Sequence, residues 1–90
     1  MSKVDETLEN RANSYGSFSA NVEAVGNIID ILDNVRFDKE QIMLTPTERQ
    51  HLTYQVIKLV RLGATPNHLD SWHDIQGYAK LSEEYFKNVQ

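Results

Sequence analysis

The chain has no cysteine. That excludes a disulfide framework and a thiolate-held zinc ion, and it fits a reducing compartment. Long apolar runs are missing too, and nothing approaches the roughly 18 residues that cross a bilayer. The polar start, Met-Ser-Lys-Val-Asp-Glu, offers no apolar core for a signal peptide, so no membrane role and a cytoplasmic location are expected. Basic residues are in deficit, 9 against 13 acidic, for a formal net charge of −4. Proteins that grip nucleic-acid backbones need a basic surface, so no such binding is expected. Strand alternation, internal repeats and low-complexity tracts are absent as well.

What remains is 90 residues with 40% hydrophobic and 24% charged side chains, the balance of a folded domain rather than a disordered tail. Residues 1–90 form a single domain. A chain of this size buries only about 60–65% of the surface its unfolded form exposes. Small cores often need help from a second chain, so a homo-oligomer is expected.

Hydrophobic spacing predicts helices throughout. Val4, Leu8 and Ala12 mark a short helix over residues 3–14, with Asp5, Glu6 and Glu9 early and Arg11 late, as the helix dipole favours. Ser14 to Ser19 reads as a turn, because Gly16 reaches backbone angles closed to other residues and the serines can cap. Val22, Val25, Ile28, Ile29, Leu32 and Val35 give a second helix over residues 19–34. Glu23, Asp30 and Asp33 lie off that stripe and are expected on a solvated face. Gly26 within it suggests a close approach by another helix. Residues 36–44 show no clean period and read as a connector. Thr45-Pro46-Thr47-Glu48 is a capping box with proline at the first helical position. It opens a helix running to about Leu62, with Gly63 as its stop. Asn67 is expected to cap a last helix reaching about Asn88, with Asp70 in a variant capping box. The order implies an all-α bundle whose two long C-terminal helices form an antiparallel hairpin.

The stretch Asn67–Leu81 holds the only tryptophan, His68, His73, and the i, i+4 pair Asp70 and Asp74, with Gly77 one turn on. On a helix the two acids and the glycine share a side. Two carboxylates over a residue without a side chain could seat a divalent cation and a phosphate, or could be a capped helix start with a surface acid. Magnesium takes oxygen ligands and shares them with a phosphate substrate. Two carboxylates are too few alone, and Glu48, Glu23 and Asp30 are the acids that could converge on them. Lys58 and Arg61 either face a phosphate or pair with Asp70 and Asp74 across the hairpin. His68 and His73 stand five residues apart, which suits no zinc motif. No nucleophile–base set and no glycine-rich phosphate loop occur.

The pattern Arg11-x-x-x-Tyr15-Gly16-x-Phe18, then Lys58-x-x-Arg61, then Asp70-Ser71-Trp72-x-Asp74-Ile75-x-Gly77-Tyr78-Ala79 resembles a group of small phage and bacterial proteins of uncharacterised function. They are related to the MazG-like, all-α nucleotide pyrophosphohydrolases, and the likeness spans about residues 8–82. The resemblance implies an oligomeric MazG-like helical bundle in the host cytoplasm. It implies a magnesium cofactor and hydrolysis of a nucleoside triphosphate to a monophosphate and pyrophosphate. Asp70 and Asp74 match that superfamily's second acidic motif and would be metal ligands. Lys58 stands in the place of a basic catalytic residue. Arg61 would face phosphate oxygens. Arg11 and Tyr15 match no role in that superfamily and are expected to contact substrate on their residue type alone, Tyr15 stacking on a base. The first acidic motif, Glu-x-x-Glu on an earlier helix, is not found. The alternative is therefore a non-catalytic phage protein on the same fold, one that binds a host or defence protein or sequesters a nucleotide signal.

Overall fold

Two glycine- or proline-bearing joints and one loop divide the chain into the expected helices. The computed structural model describes residues 3–89, with the side chains of residues 11–15 outside the description. Four helices follow in order: α1 (Lys3–Tyr15), α2 (Phe18–Glu40), α3 (Pro46–Ala64) and α4 (Leu69–Asn88). No strand occurs among the described residues, so the all-α expectation holds.

The joints follow from local chemistry. Gly16 takes φ of +83°, which only glycine adopts cheaply. Ser17 then caps α2, its hydroxyl accepting from the Ala20 amide at 3.2 Å. The Thr45 capping box is present in both directions. The Glu48 amide donates to the Thr45 hydroxyl, and the Thr45 amide donates to a Glu48 carboxylate oxygen at 2.9 Å.

Three boundaries differ from expectation. Helix α2 does not end at Asn34 but absorbs the supposed connector as far as Glu40, closing at Gln41 in the left-handed region. Neither glycine nor proline interrupts that segment, and Arg36 continues the side that faces α3. Helix α3 runs through Gly63 and ends at Thr65. The cap of α4 is His68 rather than Asn67. His68 Nδ1 accepts from the Ser71 amide at 3.3 Å and lies 2.8 Å from the Ser71 hydroxyl, so the helix starts one residue later. Gly26 marks no close approach, because a Cβ there would meet nothing within 4 Å.

Helix α3 is the centre. It packs against α2 on one flank and α4 on the other, with α1 laid across α2 and α3, while α2 and α4 do not touch each other. The pairings Lys58–Asp74, Gln55–Ile75 and His51–Ser82 run in opposite directions along α3 and α4. The C-terminal hairpin is therefore antiparallel. Among the described residues the buried apolar core is small: Ile29, Val56 and Leu62. One helix layer cannot enclose more. The radius of gyration, 15.4 Å, exceeds the roughly 12 Å typical of a compact chain of this length.

Asp33, expected in solvent, is only 1% exposed. Four residues beyond Ile29, it lies on the side of α2 that meets α3. It pairs with Arg49 of α3 and accepts from the Leu44 amide at 3.2 Å. It thereby ties α2, the loop and the start of α3 together.

Candidate functional site

Of the residues singled out from the sequence, Lys58, Arg61 and Asp74 fall around the C-terminal half of α3. Lys58 and Arg61 are three apart, hence neighbours on one side of that helix. Lys58 Nζ lies 2.9 Å from a carboxylate oxygen of Asp74 on α4. The bond to Lys58 holds the Asp74 carboxyl below its ordinary range, against some opposing desolvation, with His73 and Arg61 adding positive potential. Asp74 thus works as an anchored anion. Asp70, one turn earlier on the exposed first turn of α4, is in solvent. Gly77 has open space above it. The side chains of Arg11 and Tyr15 lie outside the described residues.

The other candidate acids do not complete a cation cage. No group of three or more acidic or histidine side chains is placed to hold a metal among the described residues. Glu48 is committed to its cap and to Arg36, 3.8 Å away. Its carboxyl is lowered first by the Thr45 backbone amide, opposed by desolvation, with Arg36 and the Thr45 hydroxyl assisting. Glu23 and Asp30 are exposed on α2. Within one chain this donor set does not fit magnesium, which needs carboxylates free to take up its coordination geometry.

A cavity opens where α1, α2 and α3 meet, with a volume of about 630 Å³. Phe18, Val22 and Val25 of α2 and Ile57 and Val60 of α3 form apolar walls, and Arg61 is the charged residue that lines it. This is the size and mixture of a small-molecule site, mostly apolar with a few polar groups that fix orientation. The cavity was missed in the sequence because Phe18 falls on the same strip as the buried Ile29, and Val22 reads as part of the apolar stripe of α2. In the fold they are 73% and 53% exposed.

Residues 1–86 match the family described as a domain of unknown function, DUF6378. The chain belongs to that family. No curated protein and no solved structure matches it. Among the described residues no helix of this DUF6378 domain is long and apolar enough to cross a membrane.

The hairpin also carries polar contacts that the sequence did not advertise. Gln55 Nε2 donates to the Ile75 carbonyl at 3.0 Å. His51 Nδ1 lies 2.8 Å from the Ser82 hydroxyl, and its ring stacks on Tyr85 with centroids 4.7 Å apart. The Trp72 indole donates to the Pro66 carbonyl at 2.9 Å. The Trp72 bond holds the loop to α4, while the Gln55 and His51 contacts lock α4 onto α3 and so fix where Asp74 meets Lys58. A period of 3.6 alone cannot reveal them, because each needs the facing helix in register.

Proposed function

We propose that this DUF6378 domain binds an anionic small molecule with an apolar or ring-bearing body, a nucleotide being the class that fits, and binds it without hydrolysis. The observation that supports this is the cavity between α1, α2 and α3 with Arg61 in its wall. The apolar walls would take a base or similar ring. The guanidinium suits phosphate oxygens through paired, charge-assisted hydrogen bonds, and Lys58 stands one turn away.

The MazG-like resemblance would add magnesium and release of pyrophosphate. The carboxylates of one chain do not fit that ion, so no metal-assisted step is derived for Asp70, Asp74 or Lys58. A binding protein that sequesters a nucleotide, of phage origin or otherwise, is the reading that needs no such step.

Calorimetric titration with a panel of nucleoside mono- and triphosphates, with and without magnesium, tests this reading when pyrophosphate release is followed in the same samples. We expect saturable binding without release, and roughly tenfold weaker binding for Arg61→Ala, the loss of about one charge-assisted contact. Magnesium-dependent release that disappears in Asp74→Ala would replace this reading with the hydrolase. Absence of binding across the panel would remove the nucleotide.

A further inference from the structure

Helix α2 carries three parallel strips, each with the spacing four, three, four. Ile29 and Leu32 belong to the strip Val25, Ile29, Leu32, Arg36, which turns toward α3. Glu23, Asn27, Asp30 and Asn34 form a polar strip, and all four are exposed. Between them run Ala24, Ile28, Ile31 and Val35. The four-three-four recurrence of apolar residues is the seam of a helix that packs lengthwise on another helix. Among the described residues no helix covers the C-terminal part of that seam. Ile31 is 60% exposed and Val35 63%.

The total surface shows the same deficit. A folded monomer of 10.4 kDa exposes about 5,400 Å². This chain exposes 6813 Å², an excess of roughly 1,400 Å², while a standard interface covers about 800 Å² on each partner. That surplus is large enough to supply one side of such an interface.

We propose that the seam Ala24–Ile28–Ile31–Val35 is the self-association surface of the protein, with α2 of one copy laid along α2 of a second. A seam without charge can pack against its own copy across a two-fold axis, where each residue meets its own environment reversed. The cavity lies on a different side of α2, lined by Phe18 and Val22, so this inference stands independently of the ligand reading.

The absence of cysteine permits a direct test. Sedimentation at tens of micromolar is expected to give twice the chain mass for the wild type. The double variant Ile31→Glu, Val35→Glu is expected to associate about 100-fold more weakly or worse, from the apolar contact area it loses. Single cysteines at Ile28, Ile31 and Val35 are expected to give a disulfide-linked dimer under mild oxidation at the position nearest the axis. Lys80→Cys, on α4, serves as the control and stays monomeric on denaturing gels. A monomeric wild type overturns the proposal. So does a dimer that persists in the double variant with its helical circular dichroism intact, or cross-linking at Lys80→Cys in preference to all three seam positions. A monomer that binds nucleotide would sink this inference and leave the proposed function standing.

Discussion

Asp33 shows how much one side chain decides. Its carboxylate is buried while Arg49, its partner, is 43% exposed in its side chain. Part of the pair's energy is therefore screened by solvent. The Leu44 amide still depends on Asp33, and removing a charged acceptor from a part-buried donor costs about 1.5–3 kcal/mol. Asp33→Ala is expected to lower the unfolding free energy by about 2 kcal/mol in urea titrations, and Asp33→Asn by less, since the amide oxygen can still accept. Equal losses in the two variants would show that the Leu44 contact contributes nothing. Asp74 gives a second prediction. Its carboxyl is held low chiefly by Lys58, so the unfolded chain takes up that proton first as pH falls. The stability it contributes is complete above the ordinary aspartate value near 4 and is lost as pH drops through the lower folded value. The wild type should exceed Asp74→Asn in urea midpoint at about pH 6, and that gap should close under acid. A gap independent of pH would mean that the Lys58 pair is not its source.

At the scale of the helix, ends were set by capping chemistry and not by periodicity. The Thr45 box could be read from four consecutive residues because every partner is local. Thr45→Ala should cost about 1 kcal/mol. The start of α4 could not be read the same way. Asn67 is the better intrinsic cap, yet His68 takes the position, and Trp72 bonds the Pro66 carbonyl to hold the loop. His68→Asn, with a side-chain oxygen at similar reach, should keep most of the stability, while His68→Ala should lose roughly 1 kcal/mol. Thermal denaturation of the two variants separates these outcomes; equal losses would remove the capping role. Helix α2 carries the same lesson. Val22, Val25, Ile28, Ile29, Leu32 and Val35 read as one stripe, but only Ile29 is buried. A helix can present apolar residues over more than a third of its circumference, and the sequence does not say which part a neighbour covers.

The whole molecule is a single layer of three helices with α1 across one end, and its stability should respond to its own concentration. If a second copy covers the α2 seam, mass action makes the melting temperature rise with protein concentration. Scans from about 1 to 100 µM should show that rise in the wild type and not in Ile31→Glu, Val35→Glu. A flat wild-type series would argue against an association coupled to folding. The layer also explains the candidate site. Lys58, Arg61 and Asp74 converge because the hairpin is antiparallel and in register, while Glu23 and Asp30 lie elsewhere because α2 never reaches α4, and Glu48 sits at the opposite end of α3.

The sequence by itself determined the helices, the antiparallel hairpin and the Thr45 cap, since each follows from spacing or from partners within four residues. It also brought out Asp70, Asp74, Lys58 and Arg61 as the charged residues to examine. Only the tertiary structure decided that Lys58 occupies Asp74, that Asp33 is a buried clasp, and that Phe18 and Val22 open onto a cavity. These depend on which side of each helix another helix covers, and that is set by contacts between residues far apart in the chain.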